Sequence, residues 1–249
     1  MGLKSQIKKA NIFNSVTRRM NNLYARTDFV QKQLSKIPND KKILDAGCGS
    51  QQFKKFTAHL EYFGQDFGQY INDDKKMIGG DTGGLGGTDG YEYGSLDYVG
   101  DVWNINETDG FFDCILCTEV FEHIPHPIKT LEEFSRLLKC GGTLILTAPS
   151  NSLRHMDPYF YYTGFTDRWF EKFLVENDFE IISCEPVGDY YSWLAVEMAR
   201  TGLSHGWASK MLLFPAFCYY YFKKQNQLST DTLCMGYHIV AKKTKCLNK

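Results

Sequence analysis

Short apolar runs alternate along the chain with longer stretches in which apolar residues recur every three or four positions. Seven runs have the length of a β-strand: 41–46, 60–65, 96–99, 111–117, 143–148, 179–185 and 233–241. Helical spacing occupies three of the intervals, at 51–59, 127–139 and 166–177, and Thr166 has the residue type of a helix N-cap. Strands that alternate with helices predict an α/β fold with a seven-stranded, mostly parallel sheet covered by helices on both faces.

Three segments lie outside this alternation. Residues 1–38 carry apolar positions at helical spacing until Pro38 ends the pattern, so we expect an N-terminal helical extension before a main domain at 39–249. Residues 72–94 are rich in glycine, which disfavours a helix and predicts a long loop. Residues 190–228 are apolar and aromatic, and we expect them to form a helical insertion or cap.

Net charge and cysteine placement indicate which binding partners and which cellular compartment to expect. A formal charge of −1 provides no electrostatic footprint for nucleic acid, so we expect no such partner. Cys114 and Cys117 fall in a strand pattern that points them to opposite faces, and no second pair of cysteines stands nearby. We therefore expect no metal centre, and reduced thiols in a cytoplasmic protein.

Candidate chemistry collects where the first three strands end. Asp45 and the turn Gly47-Cys48-Gly49 follow the first strand, Asp66 lies 21 residues after Asp45 at the end of the second, and Gly100-Asp101 follows the third. Glycines let a ligand approach the backbone closely, and a carboxylate at the end of the second strand suits the two hydroxyls of a ribose. Ligands of such sheets bind beyond this edge, so the pattern predicts one nucleotide site.

With these segments the sequence resembles the class I S-adenosylmethionine (SAM)-dependent methyltransferases, and in particular the type 11/23 enzymes of polysaccharide and glycolipid gene clusters. The resemblance covers residues 40–186, and 112–149 is its most specific part. It implies the Rossmann-like class I methyltransferase fold, SAM as cofactor and S-adenosylhomocysteine as product. The cofactor-binding residues that it implies are Asp45, Ala46, Gly47, Cys48, Gly49, Asp66, Phe67, Asp101, Val102 and Thr118.

In that family pattern the glycines face the methionine part of SAM, Asp66 the ribose, Asp101 and Val102 the adenine, and Thr118 the floor near the methyl group. Gln51 departs from the pattern, because it stands where the family usually has a third glycine and leaves less room beside the cofactor. Gln52 likewise replaces the third glycine of the dinucleotide motif, so a nicotinamide-dependent dehydrogenase is the weaker alternative.

The sequence defines the methyl acceptor less sharply. A hydroxyl acceptor needs a base for its proton, and His155 and His123 are the candidates, although each could instead pack a loop or a turn. The segment 155–166 resembles a loop of the glycan-cluster enzymes, which implies O-methylation of a sugar hydroxyl in surface-glycan or glycolipid synthesis. A phenol, a quinone-like lipid or a carboxylate remain as other acceptors, and a non-catalytic SAM-fold binding protein remains as another class.

The apolar stretch 207–224 is too short to span a bilayer and is interrupted by Lys210 and Pro215. One interpretation is a peripheral membrane contact with a basic edge at Lys223 and Lys224, in a cytoplasmic protein that associates with membranes. The other is a cap over the substrate pocket or a dimer contact. The sequence leaves the oligomeric state open.

Overall fold

The structure is a computed structural model that describes residues 20–69 and 93–245. Most of the predicted glycine-rich loop and the first part of the predicted N-terminal extension lie outside the described residues. The described helices are α1 (Asn22–Leu34), α2 (Pro127–Leu137), α3 (Asp167–Glu176), α4 (Tyr190–Ser204), α5 (Gly206–Phe222) and α6 (Gln227–Thr232).

The described strands form one seven-stranded sheet in the order β3-β2-β1-β4-β5-β7-β6. Their bounds are β1 (Lys42–Ala46), β2 (Glu61–Asp66), β3 (Tyr98–Val99), β4 (Phe112–Thr118), β5 (Leu138–Pro149), β6 (Phe179–Val187) and β7 (Gly236–Lys243). The pairs β2–β3, β1–β2, β1–β4 and β4–β5 are parallel. The predicted mostly parallel α/β sheet is confirmed. The strand order reverses between β1 and β4, and ligands bind at such a switch point.

Both faces of the sheet are buried. Strand alternation sends Ile43 and Cys114 into a cluster that includes Phe29 and Val30 of α1, while Leu44 and Cys117 enter a larger cluster on the other face. The two cysteines therefore point to opposite faces, as predicted. A sheet covered on both sides leaves its strand ends as the rim where polar groups can meet a ligand.

Contacts divide the chain into two compact units. Residues 28–185 and 237–249 form one unit, which carries strands β1–β5 and the candidate site. Residues 1–27 and 186–236 form the other, which carries α4, α5 and α6. Within the described residues, every helix falls short of the length and apolar character that a membrane span requires.

The predicted helix at 51–59 is wrong: the segment contains only a 3₁₀ turn at Lys54–Phe56. Because β1 and β2 are parallel, the chain must return along β1, about 17 Å for five residues. The glycine turn extends to Phe53, and the seven residues left before β2 would span only about 10 Å as an α-helix. A short 3₁₀ turn between two turn segments makes the connection instead.

The helix predicted from Thr166 is confirmed, since the Thr166 hydroxyl oxygen accepts a hydrogen bond from the Trp169 amide at 3.2 Å and α3 begins at Asp167. The expectation of reduced thiols holds for six of the described cysteines and is wrong for Cys140, which is disulfide-bonded.

Candidate active site

The turn after β1 is a loop held in left-handed backbone conformations. The φ angles of Gly47, Gly49 and Gln51 are +71°, +51° and +58°. A Cβ added to Gly47 would lie 2.4 Å from Val120 Cγ2, so only glycine fits there. Gln51 keeps the φ that a glycine would adopt at the third position of the turn. Backbone atoms therefore line this part of the rim.

Asp66, at the end of β2, lies directly against this loop. It is 3% exposed, and its carboxylate accepts hydrogen bonds from the amides of Gly49 at 2.8 Å and Gly68 at 3.3 Å. Burial raises the pKa of Asp66, while these amide hydrogen bonds act in the opposite direction. The ends of β1 and β2 thus meet at one point of the rim, as the sequence predicts.

Asp45 lies in a buried polar cluster beside the same loop. The Tyr62 hydroxyl donates to Asp45 Oδ2 at 2.8 Å. Burial raises the pKa of Asp45 to about 7; the Tyr62 hydrogen bond lowers it and the charge of Asp66 raises it. Burial, together with Asp45 and Asp66, also raises the pKa of Cys48 to about 12, so Cys48 is an inert thiol that packs under the loop.

The raised pKa of Asp45 makes a prediction about stability. The pKa of this carboxyl group is about 7 in the folded protein and 3.8 in the unfolded chain, so the unfolded chain ionises first as the pH rises. The free energy of unfolding therefore falls between about pH 4 and pH 7. Urea unfolding from pH 5 to 8 should show wild-type stability falling by up to about 1.4 kcal/mol per pH unit from this group below pH 7. Asp45→Asn should remove that slope; equal slopes in the two proteins would contradict it.

The Gly100-Asp101 turn after β3 is hydrogen-bonded to the end of β2. The Gln65 side-chain amide donates to the Gly100 carbonyl at 2.7 Å, and the Gly100 amide donates to the Asp66 carbonyl at 3.0 Å. A Cβ on Gly100 would meet no atom within 4 Å, so space is open there. Asp101 follows, half-buried, whereas Val102 is buried in the core cluster.

Gln51, the departure from the family pattern, reaches along the β2 side of the loop. Its amide nitrogen donates to the Ser95 carbonyl at 2.5 Å, and its oxygen accepts from Lys54 Nζ at 3.1 Å. The Gln51 side chain packs so closely on Gly64 and Gly94 that a Cβ on either glycine would lie within 2.7 Å of it. Gln51 therefore ties the segment around Ser95 to the glycine loop.

The chain turns sharply where β4 ends. Thr118 lies in register with Thr147 of β5, and Glu119 follows with a φ of +53°. The Glu119 amide donates to the Thr147 carbonyl at 2.9 Å, and its carboxylate accepts from the Thr147 hydroxyl at 2.9 Å. This turn directs the buried Glu122 and the nearly buried His123 toward the loop that follows β5.

The two predicted catalytic histidines are in direct contact. His123 Nε2 and His155 Nε2 lie 3.1 Å apart, although 32 residues separate them in sequence. His123 Nδ1 lies 2.8 Å from the Tyr159 carbonyl, and His155 Nδ1 lies 2.8 Å from the Leu153 carbonyl. Burial, then His155, lowers the pKa of His123 to about 4.

The loop that carries His155 also reaches the far side of the rim. The Tyr159 ring packs edge-on against the Phe67 ring, with centroids 5.1 Å apart, and Phe67 directly follows Asp66. The loop after β5 is therefore fixed at two points, to His123 beyond β4 and to Phe67 beyond β2. The switch point between β1 and β4 lies between these contacts in the sheet order.

Three residues of this arrangement stand outside the predicted site residues. Glu119 and Glu122 place carboxylates near His123, and Tyr159 links the two sides of the rim. The signal for the first two was present, because the acids stand three residues apart in Thr118-Glu119-Val120-Phe121-Glu122-His123, directly after a strand.

A parallel sheet with a glycine loop after β1 and acids after β2 and β3 is the arrangement expected from the resemblance to the class I methyltransferases. A family model described as "Methyltransferase domain" matches residues 16–195. The chain belongs to that family, and its matched part is a methyltransferase domain.

The curated relatives that the chain matches are methyltransferases of low sequence identity. A "Ubiquinone biosynthesis O-methyltransferase" from Shewanella halifaxensis is 25% identical over 120 residues, which are 46% of each chain. One of the same description from Colwellia psychrerythraea is 27% identical over 121 residues, 46% of this chain and 44% of its own. The chain thus spans less than half the length of the curated relatives it matches.

Among solved structures, geranyl diphosphate methyltransferase in complex with SAM has a TM-score of 0.53 and 12% identity, over 88% of this chain and 85% of that one. The cyclase SpnF has a TM-score of 0.52 and 18% identity, over 88% and 80%. Because identities are so low, these likenesses concern the fold alone.

Proposed function

We propose that this methyltransferase methylates a hydroxyl oxygen of a lipid-linked acceptor, and specifically a sugar hydroxyl in surface-glycan or glycolipid synthesis. The observation that carries this proposal is the position of the loop after β5. It brings the His123–His155 pair, a place to activate a hydroxyl, to the same rim as Asp66 and the glycine loop.

The geometry of the rim is compatible with SAM as the methyl donor. SAM supplies an electrophilic methyl group whose bond to sulfur breaks, with the electron pair staying on sulfur, as the bond to the acceptor oxygen forms. The Gly47–Gly49 backbone provides the cradle, and Val120 packs against Gly47 where a Cβ would otherwise lie. We assign Asp66, which accepts the Gly49 amide, to the ribose hydroxyls, and the open space beside Gly100, next to Asp101, to the adenine.

The acceptor hydroxyl is assigned to the neighbourhood of the histidine pair. His123 is neutral at physiological pH because burial lowers its pKa to about 4. Its carbonyl partner at Nδ1 fixes the ring orientation, and His155 lies at the more exposed side of the pair. We therefore place the acceptor hydroxyl beside His155, where its proton can leave to solvent.

The tyrosines of the loop favour a sugar. The Tyr161 side chain is 48% exposed, so its ring is available to stack on a sugar face. The Tyr162 hydroxyl instead donates to the Pro125 carbonyl at 3.3 Å and packs the loop. The second candidate is a phenolic, quinone-like lipid, which the description of the curated relatives favours.

A radiolabel-transfer assay separates these acceptors. Purified protein with methyl-labelled SAM is offered a lipid-linked oligosaccharide, its delipidated glycan and a polyprenyl catechol. We expect labelled lipid-linked glycan as main product, and Tyr161→Ala should raise KM for it while kcat changes little. Main labelling of the catechol, with no effect of Tyr161→Ala, would favour the second candidate. No labelling of any hydroxyl acceptor would contradict the proposal.

A lipid-linked acceptor requires access to a membrane surface, and we propose that α5 provides it. Apolar side chains along α5 are strongly exposed: Trp207, Met211, Leu212, Phe214, Tyr219 and Phe222 are 58–77% exposed. No residue of α5 is buried, and lysines 223 and 224 follow its end. An apolar helix with a basic edge is typical of elements that lie in the headgroup region.

Vesicle sedimentation tests this contact. We expect the protein to bind vesicles of 30% phosphatidylserine in phosphatidylcholine, because apolar burial and the lysines act together. The triple variant Trp207→Ser, Leu212→Ser, Phe222→Ser should bind at least about tenfold more weakly. Val175→Ser is the matched control, since Val175 is 61% exposed on α3. Equal binding by wild type and triple variant would exclude α5 as the contact.

A further inference from the structure

The histidine pair has an arrangement that two neutral imidazoles do not adopt alone. The two Nε2 atoms face each other at 3.1 Å, and each Nδ1 lies 2.8 Å from a backbone carbonyl oxygen. A carbonyl oxygen only accepts hydrogen bonds, so each Nδ1 must carry the hydrogen. A neutral imidazole has one N–H, and both Nε2 atoms therefore present lone pairs to each other.

Two facing lone pairs repel unless a positive group lies between them. That group is either a proton shared by the pair or a metal ion. The surroundings favour the ion, because a carboxylate completes the set. Glu122 Oε1 lies 3.8 Å from His123 Nε2, and one donor atom from each of Glu122, His123 and His155 lies within 4.8 Å of the others.

The spacing of the nitrogens fits coordination. With metal–nitrogen bonds of about 2.05 Å, two nitrogens 3.1 Å apart subtend about 98° at the ion. This value lies between the octahedral and tetrahedral angles. The Glu122 carboxylate, 3.8 Å from His123 Nε2, would move toward the ion to complete a three-ligand face, which leaves a fourth position open.

The surrounding contacts hold these ligands as metal sites require. Metal-bound histidines commonly donate their second N–H to a carbonyl or carboxylate, which fixes ring orientation and tautomer. Here the Tyr159 and Leu153 carbonyls take that role. The Glu122 carbonyl accepts the amides of Tyr161 and Tyr162, at 2.9 and 3.2 Å, and so docks the loop onto the same residue.

We propose that Glu122, His123 and His155 bind one divalent transition-metal ion of the zinc type. Two imidazoles and a carboxylate select such an ion over Mg²⁺, which prefers oxygen ligands. This proposal replaces the expectation from sequence that the chain has no metal site. Its chemical consequence rests on the proposed function: a hydroxyl at the open position would lose its proton to solvent more readily, as metal-bound water does.

Cobalt and zinc binding test the site without SAM or acceptor. Full-length protein is stripped with a chelator, dialysed, and titrated with Zn²⁺ by calorimetry and with Co²⁺ by visible absorption. We expect one ion per chain and a Co²⁺ band with the intensity of a four- or five-coordinate site. His155→Ala and Glu122→Gln should each weaken binding more than about 100-fold. His126→Ala, an exposed histidine outside the cluster, should bind as wild type does.

His155 lies in a partly exposed loop, so circular dichroism and the melting temperature can verify that His155→Ala is folded. Absence of stoichiometric Zn²⁺ and Co²⁺ binding by wild type, or equal binding by folded His155→Ala, overturns the metal site and leaves a shared proton between the rings. Failure of the proposed function looks different: metal would bind normally, while neither stripped nor loaded protein would methylate a hydroxyl.

Discussion

Asp66→Ala should weaken SAM binding at least about 100-fold, because two hydrogen bonds from ribose hydroxyls to a buried carboxylate contribute about 1.5–3 kcal/mol each. The same change removes the acceptor of the Gly49 amide, so the glycine loop also loses its fixed position. Isothermal titration calorimetry with SAM measures the loss.

Asp97→Ala is the matched control for this prediction. Asp97 also accepts a hydrogen bond from a backbone amide of β2, that of Gly64 at 2.8 Å, but it is exposed and precedes β3. We expect Asp97→Ala to lower the melting temperature while leaving the SAM affinity within about threefold of wild type. Wild-type affinity in a folded Asp66→Ala protein would contradict the placement of the ribose at β2.

Gly47→Ala should cost stability and SAM binding together. An alanine at φ +71° carries about 1–2 kcal/mol of backbone strain, and its Cβ would approach Val120 Cγ2 to 2.4 Å, a clash worth about 1–3 kcal/mol more. Chemical denaturation should therefore show a loss of about 2–5 kcal/mol. A shift of the loop away from Val120 would also displace the cradle, so SAM binding should weaken.

Gly141→Ala separates the cost of backbone strain from the cost of the clash with Val120. Gly141 has a φ of +74°, but a Cβ there meets no atom within 4 Å, so only the backbone strain applies. We expect it to cost about 1–2 kcal/mol without affecting SAM. Val120→Ala in the Gly47→Ala background should restore part of the stability. Equal losses for Gly47→Ala and Gly141→Ala would show that contact with Val120 is unimportant.

The strands and their succession along the chain could be predicted from the sequence because the patterns that indicate them are local. A run such as Phe112–Thr118 is apolar throughout, and only a strand buried on both faces tolerates that pattern. Asp45, Asp66 and Asp101 could be assigned to one rim for the same reason, since parallel strands place their carboxyl ends together.

The conformation of residues 51–59 and the contact between the two histidines could not be predicted. Both depend on distances between residues that are far apart in the sequence. The helix predicted at 51–59 does not form because the chain must return along β1 in too few residues. The contact of His123 with His155 depends on how the loop after β5 folds back, which is set by the Glu122 carbonyl and the Phe67–Tyr159 contact. Each residue was a candidate alone, but their facing lone pairs are visible only in the fold.

A crystal structure of the complex with S-adenosylhomocysteine shows whether the adenosyl group binds at the ends of β1, β2 and β3. We expect both ribose hydroxyls within about 3 Å of the Asp66 carboxylate, the adenine beside Gly100 and Asp101, and the amino-acid part along Gly47–Gly49. Adenosyl density at another edge of the sheet, or a ribose that makes no contact with Asp66, would contradict this expectation.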